Sequence, residues 1–577
     1  MKTTLFIILS FVILPVTSSS QTFFQKVTSG PVVTTENYSN MSAWGDYDND
    51  GDQDFVVSSI DDSCGDCPGP LLFFKNNGDG SFTRIFDNAI AELNIVGSGL
   101  TWCDYDNDSY LDFFVCGTKN SKNKLFHNER NGNFSIITEG IVVNDENSWS
   151  QGSAWADYNK DGFMDLFVTN RFRSNFLYKN NGNGTFTKII SGSIVNDIGS
   201  SRACAWGDYN NDSWPDLFVV NYEGINDFLY QNNGDGSFTR IFNVPMVNEG
   251  LWGAACAWND YDNNGYLDLF VTGNYNRLYY NHGDGVFTAS NSLPGQTSNR
   301  YGFTWGDYNN DGLSDLLLCG GGQMNSLYKN NGGSSFTRVS DEIVSQEGPW
   351  SVTGSMVDYN NDGRLDIFVT NRFNNLFNYL YKNIGETGNY ITIKLKGCQN
   401  KFGIGARIRV YAGDLFQMKE VSSGSGWGSD ISLWSHFGLG NAQVVDSIVV
   451  NWTSDSVTKW TNQSVNRIIM INECPAEAII SEINNTENIP FAFKLYQNYP
   501  NPFNPSTVIR FEIPENGFVK LTVYDALGKE AGVLLNKNMT AGNYNVNWNA
   551  DGFANGVYYY RLESGNFSET RKMILIR

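Results

Sequence analysis

The sequence predicts an all-β protein: a seven-bladed β-propeller, a small β domain after it, and an Ig-like β-sandwich at the C-terminus. Three observations carry this reading. A nine-residue acidic loop recurs seven times, at steps of 47 to 58 residues. Each copy stands in a unit of about four short strand-like runs, the content of one propeller blade. After residue 388 the loop disappears, and two stretches of strand-like runs and turns take over.

The first element is a secretory signal peptide over residues 1–20. Lys2 supplies its positive charge, Leu5–Val16 its apolar stretch, and Ser18 and Ser20 the small residues before a cut at Gln21. The apolar stretch is too short to span a bilayer, and no later run reaches the ~20 apolar residues of a transmembrane helix. The chain is thus expected outside the cytoplasm, secreted or held at the outer surface.

The propeller is expected over residues 21–388. Each unit opens on an Ala-Trp-Gly-like segment, with Trp44, Trp102, Trp155, Trp206, Trp258 and Trp305 in the first six units and Met356 in the last. These tryptophans read as packing between blades. After the acidic loop comes an apolar run such as Leu166-Phe-Val168, which does not alternate and so is buried on both faces. A Leu-Tyr-Lys-Asn strand follows. Then come Asn-Gly-Asp-Gly, which supplies the positive φ of a tight hairpin, and a Ser-Phe-Thr outer strand. That outer strand is missing after the seventh unit, but Thr22-Phe-Phe-Gln-Lys-Val27 stands before the first. The N-terminal strand is expected to complete the last blade and close the ring, which removes an open sheet edge.

The loops carry the chemistry. Positions 1 and 9 are always Asp, and positions 3 and 5 are Asp or Asn. Oxygen ligands at alternate positions of a tight turn converge on a hard cation, and calcium prefers such a cage. Loop one offers Asp46, Asp48, Asp50 and Asp54, and loop two Asp104, Asp106, Asp108 and Asp112. Loop three offers Asp157, Asn159, Asp161 and Asp165, and loop four Asp208, Asn210, Asp212 and Asp216. Loop five offers Asp260, Asp262, Asn264 and Asp268, and loop six Asp307, Asn309, Asp311 and Asp315. Loop seven offers Asp358, Asn360, Asp362 and Asp366. Up to seven structural Ca²⁺ ions are expected. Position 12, a bidentate Glu in an EF-hand, is here Val or Leu inside a strand, so the ninth-position Asp must close the cage. Position 6 is Gly in five loops, while Ser109 and Ser213 there are expected to strain the turn.

These loops explain much of the acidity. Twenty-three carboxylates fall at the four ligand positions, four in each of the first two loops and three in each of the others. Seven divalent ions would bring the net charge of −22 to about −8. No basic face is apparent, which argues against nucleic-acid binding.

The loop-bearing units resemble the FG-GAP/VCBS repeats of integrin-α-like propellers, over about residues 22–388. The resemblance implies a propeller whose hairpin loops bind calcium. Residues 389–474 hold Phe402-Gly-Ile-Gly-Ala-Arg407 and His436-Phe-Gly-Leu-Gly440, and resemble the ASPIC/UnbV domain of cartilage-acidic-protein-like (CRTAC-type) proteins. That family tends to have Trp-Pro-Ser-Gly where this chain has Trp452-Thr-Ser-Asp. Residues 475–490 read as a polar linker. In residues 491–577 the block Asn498-Tyr-Pro-Asn-Pro-Phe-Asn-Pro505 and the end Lys572-Met-Ile-Leu resemble the C-terminal sorting domain of type IX secretion. That resemblance implies the type IX machinery as a partner.

The remaining reactive residues read as structural. Cys204 and Cys256 share one repeat position and Cys116 and Cys319 another, as buried small residues would. Cys64 and Cys67 read as a local disulfide, and Cys398 and Cys474 as a pair across the middle domain. His436 reads as a hydrogen-bonded structural residue, His127 and His282 as incidental, and Arg407 as a strand-face ion pair. No nucleophile motif is present, so no catalytic residue is assigned. The function expected is calcium-stabilised adhesion or recognition of an extracellular glycan or protein. The alternative is a propeller-scaffold polysaccharide lyase or hydrolase.

Overall fold

The computed structural model describes residues 22–576, less 62–66, 96, 119–120, 146–148, 284, 291–292, 294–301, 334, 349, 373–376, 425–431, 475–479, 483–492, 515, 540–541, 551–552 and 566. The signal segment and Cys64 lie outside these residues. Cys67 is disulfide-bonded.

Each acidic loop joins the first and second strands of a four-stranded antiparallel unit, and the described residues form seven such units. The second unit shows the pattern. Its strands are Gly97–Cys103, Asp112–Gly117, Lys124–Asn128 and Phe134–Ile137, paired in chain order. The second strand is buried along its whole length, which is why it carries no alternation. The seventh unit takes its outer strand from the other end of the chain: Phe24–Lys26 pairs antiparallel with Tyr381–Asn383. Units three and four depart from the pattern. The strand Asp165–Ser174 runs on past its blade and pairs with the start of Ile198–Gly207, so two blades share one sheet.

The core lies between blades. Trp44 stacks on Phe55 at 4.3 Å and meets Phe368 of the seventh unit at 5.8 Å, which bonds the first blade to the last. The indole nitrogens reach across the same seams. Trp102 donates to Ala43 O (3.1 Å), Trp206 to Ala154 O (3.3 Å) and Trp258 to Ala205 O (3.1 Å). Burying a side chain of this size contributes roughly 2–3 kcal/mol, and the indole bond satisfies its one polar atom.

The middle domain has a three-stranded sheet, with Asn389–Lys396 between Ser435–Gly440 and Arg467–Asn472, and a four-stranded sheet built on Arg407–Ala412. Cys398 and Cys474 form its disulfide. It sits on the loop-bearing face of the propeller. Ser423 reaches the innermost strands, where its hydroxyl donates to Trp102 O (2.8 Å) and its carbonyl accepts the N–H of Trp155 (3.3 Å).

The C-terminal domain is a pair of four-stranded antiparallel sheets over one apolar core that includes Phe511, Leu521, Trp548 and Tyr560. One of its strands is Ile480–Glu482, paired with Tyr544–Val546. This corrects the linker boundary, because part of the polar stretch 475–490 supplies a sheet edge.

Candidate metal centres

The position-1 aspartate organises each loop. In loop two the N–H groups of Asp108 and Ser109 donate to Asp104 Oδ1 (2.9 Å) and Oδ2 (2.8 Å). The same pair of bonds recurs in loops three to seven. The position-5 side chain accepts the N–H of position 7, as in Asp50 with Asp52 (3.0 Å). The position-6 serines adopt the left-handed backbone that Gly adopts elsewhere, with φ of 74° at Ser109 and 72° at Ser213. Both bend through the turn as expected and carry its strain.

The position-9 aspartates start the second strands, and all seven are buried. One oxygen of each accepts a backbone N–H from the third strand, as in Asp112 with Asn128 (2.8 Å). That donor is always the Asn of the Leu-Tyr-Lys-Asn segment: Asn76, Asn128, Asn180, Asn232, Asn281, Asn330 or Asn383. Its side-chain amide then donates to the position-2 Tyr carbonyl of the preceding loop. Asn128 reaches Tyr47 O at 2.8 Å, and Asn76 reaches Tyr359 O at 2.7 Å to close the circle.

A second belt runs the other way. Position 4 is left-handed in every loop, from φ 55° at Lys160 to 62° at Asn107. Where it is Asn, its amide donates to the position-6 carbonyl of the next loop, as in Asn49 to Ser109 O (2.9 Å) and Asn361 to Gly51 O (3.4 Å). Asn tolerates this backbone better than other residues. Only loop three has Lys160 there, and it pairs with Asp455 of the middle domain. Sequence reading missed both belts. The signal was present as two Asn positions repeated almost without exception.

Among the described residues, three of the seven loops, the first, second and fifth, gather three carboxylates around one point. Ligand atoms of Asp46, Asp48 and Asp50 lie within 4.8 Å of one another, as do those of Asp104, Asp106 and Asp112, and of Asp260, Asp262 and Asp268. Among the described residues, Asp46 Oδ1, Asp54 Oδ2, Asp106 Oδ1, Asp216 Oδ2 and Asp366 Oδ2 are buried without a hydrogen bond. A buried carboxylate oxygen without a partner is costly, and a cation would satisfy it. Burial also raises the carboxyl pKa values: to about 6 at Asp46 and Asp157, about 7 at Asp260 and Asp358, about 8 at Asp104 and about 9 at Asp268. Near neutral pH these groups need either a proton or a cation. The donor set is all oxygen, at alternate residues, and fits a hard divalent ion.

Basic side chains modulate the loops. Lys75 bonds both Asp48 and Asp50, the latter at 3.1 Å, so an ion in loop one must displace an ammonium. Lys179 and Lys329 hold the position-5 carboxylates Asp161 and Asp311, each at 3.2 Å. His127 corrects its reading as incidental. It occupies the same third-strand position in unit two, with Nδ1 3.3 Å from both Asp106 and Asp112, and Asp112 raises its pKa to about 9.

The middle domain meets the acidic face with cations. Arg407 bonds Glu420 (2.9 Å) on its own sheet, and also Asp208 O (2.7 Å) and Asn211 of loop four. His436 is buried, stacks on Tyr390, and bonds Thr392 Oγ1 (3.0 Å) and Asn310 Oδ1 (2.7 Å). Both ring nitrogens are engaged, as a structural His requires.

Three family models match successive regions of the chain. Residues 46–115, 104–168, 157–219, 208–271, 260–318 and 307–369 match the FG-GAP-like repeat. Residues 397–478 match the ASPIC and UnbV domain, and residues 497–576 the secretion system C-terminal sorting domain. The chain is 27% identical over 196 residues to cartilage acidic protein 1 of Mus musculus, covering 31% of this chain and 29% of that protein. It is 31% identical over 113 residues to the Xenopus tropicalis protein of that name, covering 18% and 17%. The chain thus spans less than a third of these relatives' length. Among solved structures, BBS1N in complex with ARL6DN is similar at TM-score 0.41 and 10% identity, over 63% of this chain and 98% of that one. The Dos1 propeller is similar at TM-score 0.39 and 10% identity, over 64% and 96%.

Proposed function

Because the chain belongs to the FG-GAP-like repeat family, we propose that it is a calcium-binding recognition protein of the cell exterior. Its extracellular or surface-attached location rests on the sorting domain at residues 497–576. No helix among the described residues is long and apolar enough to cross a membrane.

The observation that carries the calcium reading is the set of buried, unpartnered carboxylate oxygens at positions 1, 3 and 9 of the loops. Calcium would occupy up to seven loops, neutralise the position-1 and position-9 aspartates, and fix the turns through which the Asn belts run. Its role in this reading is structural: it stiffens the ring that presents the ligand surface. No catalytic step is assigned. The carboxylates gathered in the loops serve the ion, and His436 is held on both nitrogens.

Calorimetric titration of the chelated, mature protein tests this reading. Binding of several Ca²⁺ per chain is expected, with loop five filling before loop one because Tyr280 stands where Lys75 stands. Failure of Asp268→Asn to reduce the stoichiometry would sink the assignment.

A further inference from the structure

The propeller breaks its own repeat at a few positions, and these breaks meet in one place. Position 8 of the acidic loop is apolar in five loops, but it is Gln53 in loop one and Ser314 in loop six. The residue before the loop is small or apolar in six units, but it is Asn259 in the fifth. The seventh unit has Met356 where the others have Trp, and a thioether fills less of the seam than an indole. All four side chains line one cavity of about 140 Å³ between the loop-bearing face and the middle domain. Trp434 and Ile468, part-exposed lining residues of the middle domain, mark its opening.

The cavity gathers hydrogen-bonding groups that the fold leaves unused. Gln53 is 1% exposed, and neither its Nε2 nor its Oε1 has a hydrogen-bond partner among the described residues. Asn259 Nδ2 and Trp305 Nε1 are buried and equally unpartnered. The indole stands out because Trp102, Trp155, Trp206 and Trp258 each donate to the preceding blade. Trp44, which does not line the cavity, is the other exception. Leaving such groups unpaired is costly, and native folds retain few of them. The rings differ as well. Trp258 and Trp305 are part-exposed and line the cavity, while the other four unit tryptophans are buried.

The open groups are neutral. Lys419 also lines the cavity, but its ammonium donates to His436 O (2.5 Å) and faces the opposing charge of Asp307. What is left is the amide of Asn259, the indole N–H of Trp305, and the amide and carbonyl of Gln53. A cavity of about 150 Å³ admits benzene, so this one has room for a single six-membered ring. We propose that it binds one neutral pyranose unit of a glycan. The inference rests on the recognition reading above and names its ligand class and site. Ring hydroxyls would accept from Gln53, Asn259 and Trp305 and donate to Gln53 Oε1, with the apolar C–H face against the indoles. Gln53 and Trp434 also line a neighbouring cavity of about 460 Å³ beside loop one, which leaves room for a further unit of the chain.

The test uses the mature full chain saturated with calcium. The probes are the methyl glycosides of glucose, galactose and mannose, titrated by saturation-transfer NMR. At least one is expected to bind wild type. Gln53→Leu installs the residue of loops two, five and seven, and Asn259→Ala that of unit three. Each is expected to weaken binding about tenfold. Gln53→Leu also removes an unpaired buried amide, so its unfolding midpoint should hold or rise, which separates lost binding from lost folding. Absence of binding by all three glycosides overturns the proposal, as does undiminished binding in both variants. Both results leave the recognition reading in place, with a protein or a charged glycan as its ligand. Methanol released from a glycoside by wild type would instead strike at the recognition reading, while the two variants still decide the site.

Discussion

The propeller and the C-terminal sandwich are both made of four-stranded antiparallel sheets, yet they bury opposite kinds of side chain. The sandwich closes over Leu495, Phe511, Leu521, Val523, Trp548 and Tyr560. Among the described residues its buried polar side chains are Asn498, Thr507, Thr522 and Ser564, none of them acidic. The propeller buries aromatic seams too, but it adds all seven position-9 aspartates and six of the seven position-1 aspartates. One region buries apolar and neutral polar side chains. The other keeps part of its stability conditional on what neutralises its carboxylates. Similar strand architecture therefore implies nothing about buried charge; the loop sequence sets it.

The sharpest way to separate the two regions is chelation. Excess EDTA should lower the unfolding midpoint of the propeller and leave that of the sandwich unchanged, followed by calorimetry with two resolved transitions. A single site held at a hundred times its dissociation constant adds about 2.7 kcal/mol, so loss of several sites is a large effect. An unchanged propeller transition would break the comparison.

The pH dependence of the chelated protein comes next. Burial raises the loop aspartates above their unfolded value of 3.8, to about 6 at Asp46 and about 9 at Asp268. A raised pKa means that the folded state binds the proton more tightly. Its stabilising contribution is therefore full below about pH 4 and is lost progressively as pH rises from there through the folded values, about 6 at Asp46 and about 9 at Asp268. The chelated propeller should be more stable at pH 5 than at pH 8. Calcium should reverse that slope, because protons then compete with the ion. Denaturant titrations at the two pH values, with and without calcium, read both signs.

Asn128→Ala probes the belt that ties one loop to the next. It removes two amide bonds, to Tyr47 O and Leu111 O, and leaves both carbonyls buried. The expected cost is about 2–3 kcal/mol in the propeller transition and nothing in the sandwich.

The smallest expected effect is Ser109→Gly. Gly adopts φ near 74° without strain, so the propeller should gain at most about 1 kcal/mol. A gain in the sandwich transition would show that the two units are not independent.

Much of this protein is legible in its sequence because it repeats. A single Asp-rich turn is ambiguous; seven at near-constant spacing fix the loop, and the strands around it, by mutual agreement. The missing outer strand of unit seven and the extra strand at Thr22–Val27 revealed the ring closure, since each is a departure from the repeat. His127 escaped because its role depends on facing Asp106 and Asp112 from a neighbouring strand, a relation with no local signature. The Asn belts escaped for a similar reason. The repeated Asn is visible, but its partner is a backbone carbonyl on another blade.

The sequence by itself determined the blades, the acidic loops, the order of the three β regions and the C-terminal sorting domain. Each of these is encoded in contiguous residues through turn chemistry, side-chain period and ligand spacing. Only the tertiary structure decided which groups meet across the ring. It seated the middle domain on the loop face through Arg407 and Ser423, and chained the loops through two rows of Asn. Those contacts bring together residues tens to hundreds of positions apart, and the closure of the ring, which no local pattern encodes, sets the distances between them.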